Sequence, residues 1–313
     1  MTISPISPVD STSMWRGADM ADPAVWTIHL TDAEQDELVA AAERAEGGGL
    51  NPSTLTRAAF VLSGLSATLE RCADDLRSGR GFVLLRGIPV DRLTPTTTAL
   101  AYIGLGLHFG SPVCLDPTGR FLNDIRDERV PRTGPGVRIS QTNGRQDFHT
   151  DQVDIVGLLC LQPAKSGGQS RLVSAHAVFN EMLALRPDLV EVLYQRFWWD
   201  RNDEQPPGEA PSYPLSVLSD VDGIPRFFYI GWYIRDAQRH PETPRLTAAQ
   251  SEAIDLLEVV ANKPEFRIGM DFERGDVQLL NDAKIIHSRE AYEDYDDPVL
   301  RRHLLRLLLR QTA

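Results

Sequence analysis

The sequence predicts an α+β fold, and three observations carry that reading. Helical patterns gather in the first third of the chain, short apolar runs bounded by glycine or turn residues dominate afterwards, and one late helical pattern interrupts them. There is no regular strand–helix alternation of the kind that builds a parallel sheet. At 313 residues, with 42% hydrophobic and 24% charged side chains, the chain has material for a large core, so disorder throughout is excluded.

Residues 1–25, rich in Ser, Pro and Asp, read as a flexible amino-terminal arm, and 26–313 read as a single domain. Thr31 to Glu34, "TDAE", has capping-box spacing ahead of an Ala-, Glu- and Leu-rich run to about Glu46, which "GGG" stops. Leu65, Leu69, Cys72 and Leu76 recur at helical spacing and predict a second helix ending near Gly79; a third is predicted over Thr98–His108. "GFVLLRG" (Gly81–Gly87) is a short apolar run between glycines, the pattern of a buried strand. Asp154–Leu161, Arg226–Ile234, Val277–Asn281 and Arg302–Arg310 read the same way. Thr247–Asn262 opens on "TAAQ", again with capping-box spacing, and forms the late helical insertion. Between these, Arg201–Pro214 is Pro- and acid-rich and reads as a long surface loop that closes over substrate.

A formal net charge of −12 without a basic run argues against nucleic acid as a partner. Three widely spaced cysteines without CxxC suggest neither a disulfide framework nor a thiolate zinc site. The amino terminus lacks a signal-peptide pattern and no segment reaches the roughly 18 apolar residues of a membrane span. The expectation is a cytoplasmic protein with a small-molecule partner; a homo-oligomer is compatible with the composition.

In "FHTD" His149 and Asp151 are two apart, so on a strand both would face one side and grip one ion. Alone, HxD is a frequent coincidence in a chain with seven histidines. The weight shifts with "GDVQLLNDAKIIH", where an apolar strand, an Asn-Asp turn of hairpin type and a second strand deliver His287. Two His and one carboxylate, the third ligand coming from far along the chain, form the facial triad of non-haem Fe(II) sites. Zinc more often takes three His, or two His and Glu, so iron is favoured and zinc stays open. In "RRHLLRLLLR" the period-2 rule puts Arg302 and Arg306 on one face of a strand too apolar to be exposed. Buried guanidiniums need anionic partners or a wet pocket, and a carboxylate matches their fork. His108, His176 and His303 lack a ligand-like context and read as core or surface histidines. The aromatics of "FWWDR" (Phe197–Arg201) and "RFFYIGWY" read first as core; Phe228, Trp232 and Tyr233 are candidate pocket residues, because ligand pockets are built largely from such side chains.

With these residues in hand, the sequence resembles the TauD/TfdA (clavaminate-synthase-like) Fe(II)- and 2-oxoglutarate-dependent dioxygenases from about Gly81 to Arg310. The resemblance is carried by "GFVLLRG", "GLHFG", "FHTD", "PAKSGGQS", "GDVQLLN", "HSREAYEDY" and the "RRHLLR" strand. It implies a double-stranded β-helix (jelly-roll, cupin-like) core flanked by amino-terminal helices, and an oxygenase that consumes O2 and 2-oxoglutarate and releases succinate and CO2. It places His149, Asp151 and His287 on the iron ligands, as the catalytic centre. Arg302 falls on the arginine that holds the distal carboxylate of 2-oxoglutarate, Ser170 on a hydroxyl that assists it, and Arg306 on an arginine that meets an anionic substrate or flanks the cosubstrate. The spacing from His287 to Arg302 is longer than in taurine-type relatives, so the loop Arg289–Leu300 departs from the pattern. Hydroxylation is the reaction expected first, with desaturation and cyclisation sharing the same site. The other readings are a zinc hydrolase using the same His, Asp and His, which leaves Arg302 without a task, and a non-catalytic cupin-like binding protein in which the triad is vestigial. Pocket walls are expected from Asp151–Ile155 as a strand, from the "RFFYIGWY" strand and from the Arg201–Pro214 loop.

Overall fold

An unbroken apolar run suits a strand covered on both faces, and that is where these runs lie. The computed structural model describes residues 6–311 apart from 115–118, 131–135, 152 and 222. The chain begins with β1 (Thr27–His29), α1 (Asp32–Gly47), α2 (Ser66–Arg77), β2 (Phe82–Arg86) and α3 (Pro95–Gly106). Six strands follow: β3 (Ser111–Pro112), β4 (Leu122–Ile125), β5 (Gln146–His149), β6 (Ile155–Gln162), β7 (Ser166–Gly167) and β8 (Ser170–Ser174). Helices α4 (Ala175–Leu185) and α5 (Pro187–Leu193) lead to two hairpins, β9 (Arg196–Asp200) with β10 (Ser212–Ser216), and β11 (Leu218–Val221) with β12 (Ile224–Phe227). After α6 (Gly231–Asp236) and α7 (Ala248–Asn262) come β13 (Arg267–Met270), β14 (Val277–Asn281), β15 (Ile285–Arg289), β16 (Tyr292–Glu293) and β17 (His303–Arg310).

Two sheets result. The larger has seven strands in the order β1-β2-β14-β6-β17-β3, with β4 also on β17; β1 runs parallel to β2 and the other pairs are antiparallel. The smaller is antiparallel, β13-β8-β15-β5. Side-chain alternation sorts each strand between two cores. Val83, Leu85, Leu279, Leu307 and Leu309 turn outward onto Leu38, Leu69 and Leu76 of α1 and α2. Phe82, Leu84, Leu280 and Leu308 turn inward to meet Leu172, Ile268 and Ile285 of the smaller sheet. The outer face of that sheet, Val173 and Ile286, is covered by Val178, Val190 and Leu257 from α4, α5 and α7. The α+β architecture is thus two sheets face to face, with helices on both outsides.

The two capping boxes form as their spacing predicts: the Glu34 N–H donates to Thr31 Oγ1 at 3.3 Å and the Thr31 N–H to Glu34 Oε2 at 2.8 Å, with the same exchange between Thr247 and Gln250 at 3.1 and 3.0 Å. The third helix starts earlier than Thr98, since Thr94 caps it and Pro95 fills its first position.

Four expectations are corrected. The arm is not loose over residues 6–25: Trp15 is 2% exposed, its ring 5.3 Å from that of Phe82, and Val9 and Asn180 exchange two hydrogen bonds of 2.8 Å; residues 1–5 of that arm lie outside the described residues. The run Arg226–Ile234 is a strand only to Phe227, and its second half is α6, since a short apolar run does not by itself distinguish strand from buried helix. Asn281-Asp282 is not a hairpin turn, because β14 lies in the larger sheet and β15 in the smaller; the chain changes sheet there. Finally, β5 ends at His149 and β6 starts at Ile155, so neither His149 with Asp151 nor Asp151–Ile155 shares a strand. No helix among the described residues is long and apolar enough to cross a membrane.

Candidate active site and metal centre

His149 closes β5, and His287 lies directly opposite it on β15, so the ladder register alone brings their rings to 4.2 Å between centroids. Asp151 reaches them by a turn: the Thr150 N–H donates to the Tyr229 carbonyl at 2.8 Å and the Asp151 N–H to Asp282 Oδ1 at 2.8 Å. One donor atom from each of His149, Asp151 and His287 then lies within 4.8 Å of the others. The His287 Nε2 is 3.5 Å from Asp151 Oδ2.

The protonation states suit a cation. Burial pushes both imidazoles down, His287 to about 3, keeping them neutral and their nitrogens available. Burial acts to raise the Asp151 carboxyl, but Arg306, His287 and His149 outweigh it and hold it below its ordinary value. His149 Nδ1–H donates to the Asp147 carbonyl at 2.8 Å, which fixes the tautomer and leaves Nε2 as the acceptor; Gln146 Nε2 donates to it at 3.1 Å. His287 Nδ1 is buried without a partner. Two neutral imidazoles and an ionised carboxylate are a donor set that a divalent metal fits.

β17 supplies the positive side. Arg306 Nη1 is 3.4 Å from Asp151 Oδ1, so this arginine leans on the carboxylate of the trio. Arg302, just before the strand, is 3% exposed; its guanidinium lies 4.9 Å from the Tyr292 ring centroid and its Nη1 has no hydrogen-bond partner. Ser170 Oγ sits beside it in the same cavity and shares hydrogen bonds of 3.0 and 3.2 Å with Gln278. The turn before Ser170 needs its glycines: Gly167 and Gly168 have φ of 72° and 73°, and a Cβ on Gly168 would come within 3.3 Å of Arg302 Nε.

Of the candidate pocket aromatics, Trp232 meets the site, its ring edge-on to His149 at 5.2 Å. Tyr233 packs on Trp232 at 5.9 Å, and Phe228 stacks on Trp199 at 4.8 Å within the outer core, so neither lines the cavity around the trio. That cavity is walled instead by Ile125, Val156, Leu158, Phe272 and Leu304, and no residue of the Arg201–Pro214 loop lines it. The loop is tied to Arg138, whose Nη2 donates to Glu204 Oε2 at 2.7 Å. Sequence reasoning missed two buried residues. Asp282 accepts the Asp151 N–H, and burial pushes its carboxyl well above its ordinary value. Arg289, 7% exposed, lines the cavity; burial and the charge of Arg302 push it down to about 10. The period-2 rule applied to β15 would have found it, since Arg289 shares a face with His287. His176 and His303 have ordinary partners, Ser13 Oγ at 2.8 Å and Asp124 Oδ1 at 2.7 Å.

Comparison with known proteins bears on the site. A family described as "Taurine catabolism dioxygenase TauD, TfdA family" matches residues 51–308. The FR-33289 synthase of Streptomyces rubellomurinus is 34% identical over 307 residues, covering 96% of this chain and 89% of that protein. A taurine hydroxylase-like protein, SAT17, of Stachybotrys chartarum is 29% identical over 94% of this chain and 77% of its own length. A uridine-5'-phosphate dioxygenase of an Amycolatopsis species is 27% identical over 59% of this chain and 67% of its own. Among solved structures, asparagine oxygenase in complex with Fe(II), 3-hydroxyasparagine and succinate superposes with a TM-score of 0.70 at 17% identity, covering 91% of this chain and 94% of that one. The non-haem iron oxygenase OrfP in complex with Fe and alpha-ketoglutaric acid gives 0.67 at 15%, with the same coverage. At such identity these two likenesses concern the fold.

Proposed function

This chain belongs to the TauD/TfdA family, and from that membership we propose that it is an Fe(II)- and 2-oxoglutarate-dependent oxygenase acting on a small molecule, most simply a hydroxylase. The observation that carries the reading is the juxtaposition in one cavity of the His149–Asp151–His287 trio with the buried guanidinium of Arg302, whose Nη1 has no partner. A metal alone would explain the first and not the second. His149, Asp151 and His287 would hold Fe(II), and Arg302 with Ser170 the distal carboxylate of the cosubstrate. When bound, iron and 2-oxoglutarate supply O2 activation, the cosubstrate leaving as succinate and CO2 and the oxidising equivalent removing hydrogen from the substrate. The chain's own residues position and shield. Asp147 and Gln146 orient His149, Asp282 holds the backbone of Asp151, and Arg306 balances its charge. Ile125, Val156, Leu158, Phe272 and Leu304 exclude water from the cavity.

We read the two facing sheets as a double-stranded β-helix, and the chain from residue 6 onward as one domain, since residues 6–25 pack on both β2 and α4. The relatives' names suggest a substrate class: taurine and uridine 5'-phosphate are small molecules that each carry an anionic group, a sulfonate and a phosphate, and such a group suits Arg306. The test is metal analysis of protein purified without oxygen, followed by a 2-oxoglutarate-dependent succinate assay. Iron with cosubstrate turnover is expected, lost in His149→Ala, Asp151→Ala and His287→Ala with the fold retained. Tightly held zinc, and hydrolysis indifferent to 2-oxoglutarate, would refute it. The product then separates hydroxylation, which adds oxygen, from desaturation or cyclisation, which remove two hydrogens.

A further inference from the structure

Arg289 is a second buried guanidinium in the same cavity as Arg302, and the description so far leaves it without a task. Its Nη2 donates to the Thr142 carbonyl at 2.9 Å and to that of Gly144, which fixes the side chain, while Nε and Nη1 have no partner. Its guanidinium carbon is 5.0 Å from the Tyr292 ring centroid, and that of Arg302 is 4.9 Å from the same centroid. On the β8–β15 ladder Arg289 stands directly opposite Ser170.

Two like charges around one ring, both out of water, repel each other and lose solvation, a cost that an anion reaching both would offset. The carboxylates near them do not fill that place: Asp151 is engaged by Arg306, Asp294 accepts the Arg302 backbone N–H at 2.7 Å, and Asp127 and Asp294 act on the guanidiniums through their charge, not through a hydrogen bond. A carboxylate has about four acceptor sites, enough for both guanidiniums and the Ser170 hydroxyl.

We propose that Arg289 binds the distal carboxylate of the cosubstrate together with Arg302, the two guanidiniums forming a receptor braced on Tyr292. This inference rests on the reading of 2-oxoglutarate as cosubstrate. Arg302 alone would offer one fork; the pair, with Arg289 fixed by the Thr142 and Gly144 carbonyls and both guanidiniums lying against Tyr292, selects a dicarboxylate over a monocarboxylic 2-oxo acid.

The test is calorimetric titration of anaerobic Fe(II)-loaded protein with 2-oxoglutarate and with 2-oxopentanoate, which has the same 2-oxo acid head and no distal carboxylate. Wild type should prefer 2-oxoglutarate strongly. Arg289→Gln should cut that preference about tenfold or more, one charge-assisted contact being worth at least one factor of ten, while leaving the affinity for 2-oxopentanoate nearly unchanged. A purely structural arginine would weaken both ligands alike, so an unchanged preference in Arg289→Gln overturns the proposal, also where a loss of substrate affinity accompanies it. If melting curves show Arg289→Gln unfolded, Arg289→Lys decides, since lysine can keep one bond to the carbonyls and one charge but not the two-point grip; an undiminished preference there overturns the proposal too. Absence of any preference in wild type would instead strike the reading of the cosubstrate, and the proposal with it.

Discussion

Arg306→Gln isolates how the site manages charge when no metal is held. Arg306 Nη1 is 3.4 Å from Asp151 Oδ1, and the two side chains are only 17% and 16% exposed. An exposed pair contributes about 0–1 kcal/mol, and breaking a fully buried one costs about 3–5 kcal/mol. At this burial and with this long contact, roughly 1–3 kcal/mol is expected. For a chain of this size each kcal/mol moves the melting temperature by about 2 °C, so metal-free Arg306→Gln should melt roughly 2–6 °C below wild type. A divalent cation would then supply the positive partner that Asp151 has lost, and it would no longer be repelled by the guanidinium. The stabilisation by Mn(II) or Fe(II), which follows the logarithm of concentration over dissociation constant, should therefore be larger in the variant than in wild type. Thermal melts in chelator and in graded metal read both quantities. If Arg306→Gln melts with wild type in chelator and gains no more from metal, Arg306 does not neutralise Asp151 and belongs to the substrate side alone.

Arg302→Lys keeps a charge but loses the planar fork, so 2-oxoglutarate should bind at least about tenfold more weakly by calorimetry; full affinity would mean that the register assigned to the last strand is wrong. His176, held at Nδ1 by Ser13 and pushed down to about 4 by burial, takes a proton in the unfolded chain near pH 6.5 before it does so in the folded one. Stability should therefore fall as the pH drops below about 6.5 and level off near 4, by up to roughly 3 kcal/mol from this residue, and the wild-type minus His176→Asn difference in urea midpoints across that window measures it. Cys72 and Cys160 are buried and pushed up to about 12, whereas Cys114 is half-buried, so a thiol reagent at pH 8 should modify Cys114 alone until the protein is unfolded.

The strands that proved legible are those covered on both faces. Val277–Asn281 and Phe82–Arg86 are mostly apolar on both sides of the pleat, Gln278 and the terminal Asn281 and Arg86 apart, because one side meets α1 and α2 and the other meets the smaller sheet. Arg226–Ile234 has the same composition, yet it bends at Ile230, where an isolated bridge to His149 ends the extended stretch and Gly231 opens α6. Apart from Gly231, nothing in that run of mostly apolar and aromatic residues marks the bend, which is held by Thr150 and Glu258 from elsewhere in the chain, through hydrogen bonds to the Tyr229 backbone and hydroxyl. The amino-terminal segment was illegible for a related reason. Its Ser and Pro content resembles a linker, and only the tertiary pocket beside Phe82 makes Trp15 a core residue.

The site divides along the same line. His149, Asp151, His287, Arg302 and Arg306 are types whose chemistry is visible wherever they stand, and a strand period sufficed to pair the two arginines. The proximity of His149 to Asp151 came from a different cause than the period predicts, a turn stabilised by Asp282 rather than a shared strand face. Arg289 was equally visible as a letter, but an arginine two residues beyond a histidine is ordinary on an exposed strand, where its charge costs nothing. What gives it meaning is burial, and burial at that point depends on Tyr292 from the next strand and on the Thr142 and Gly144 carbonyls from a loop some 145 residues away in sequence. A chain that buries a second guanidinium beside the first, with Nε and Nη1 left without partners, does so against the cost of desolvation, and an anion bound in the cavity is the acceptor our proposal assigns to it.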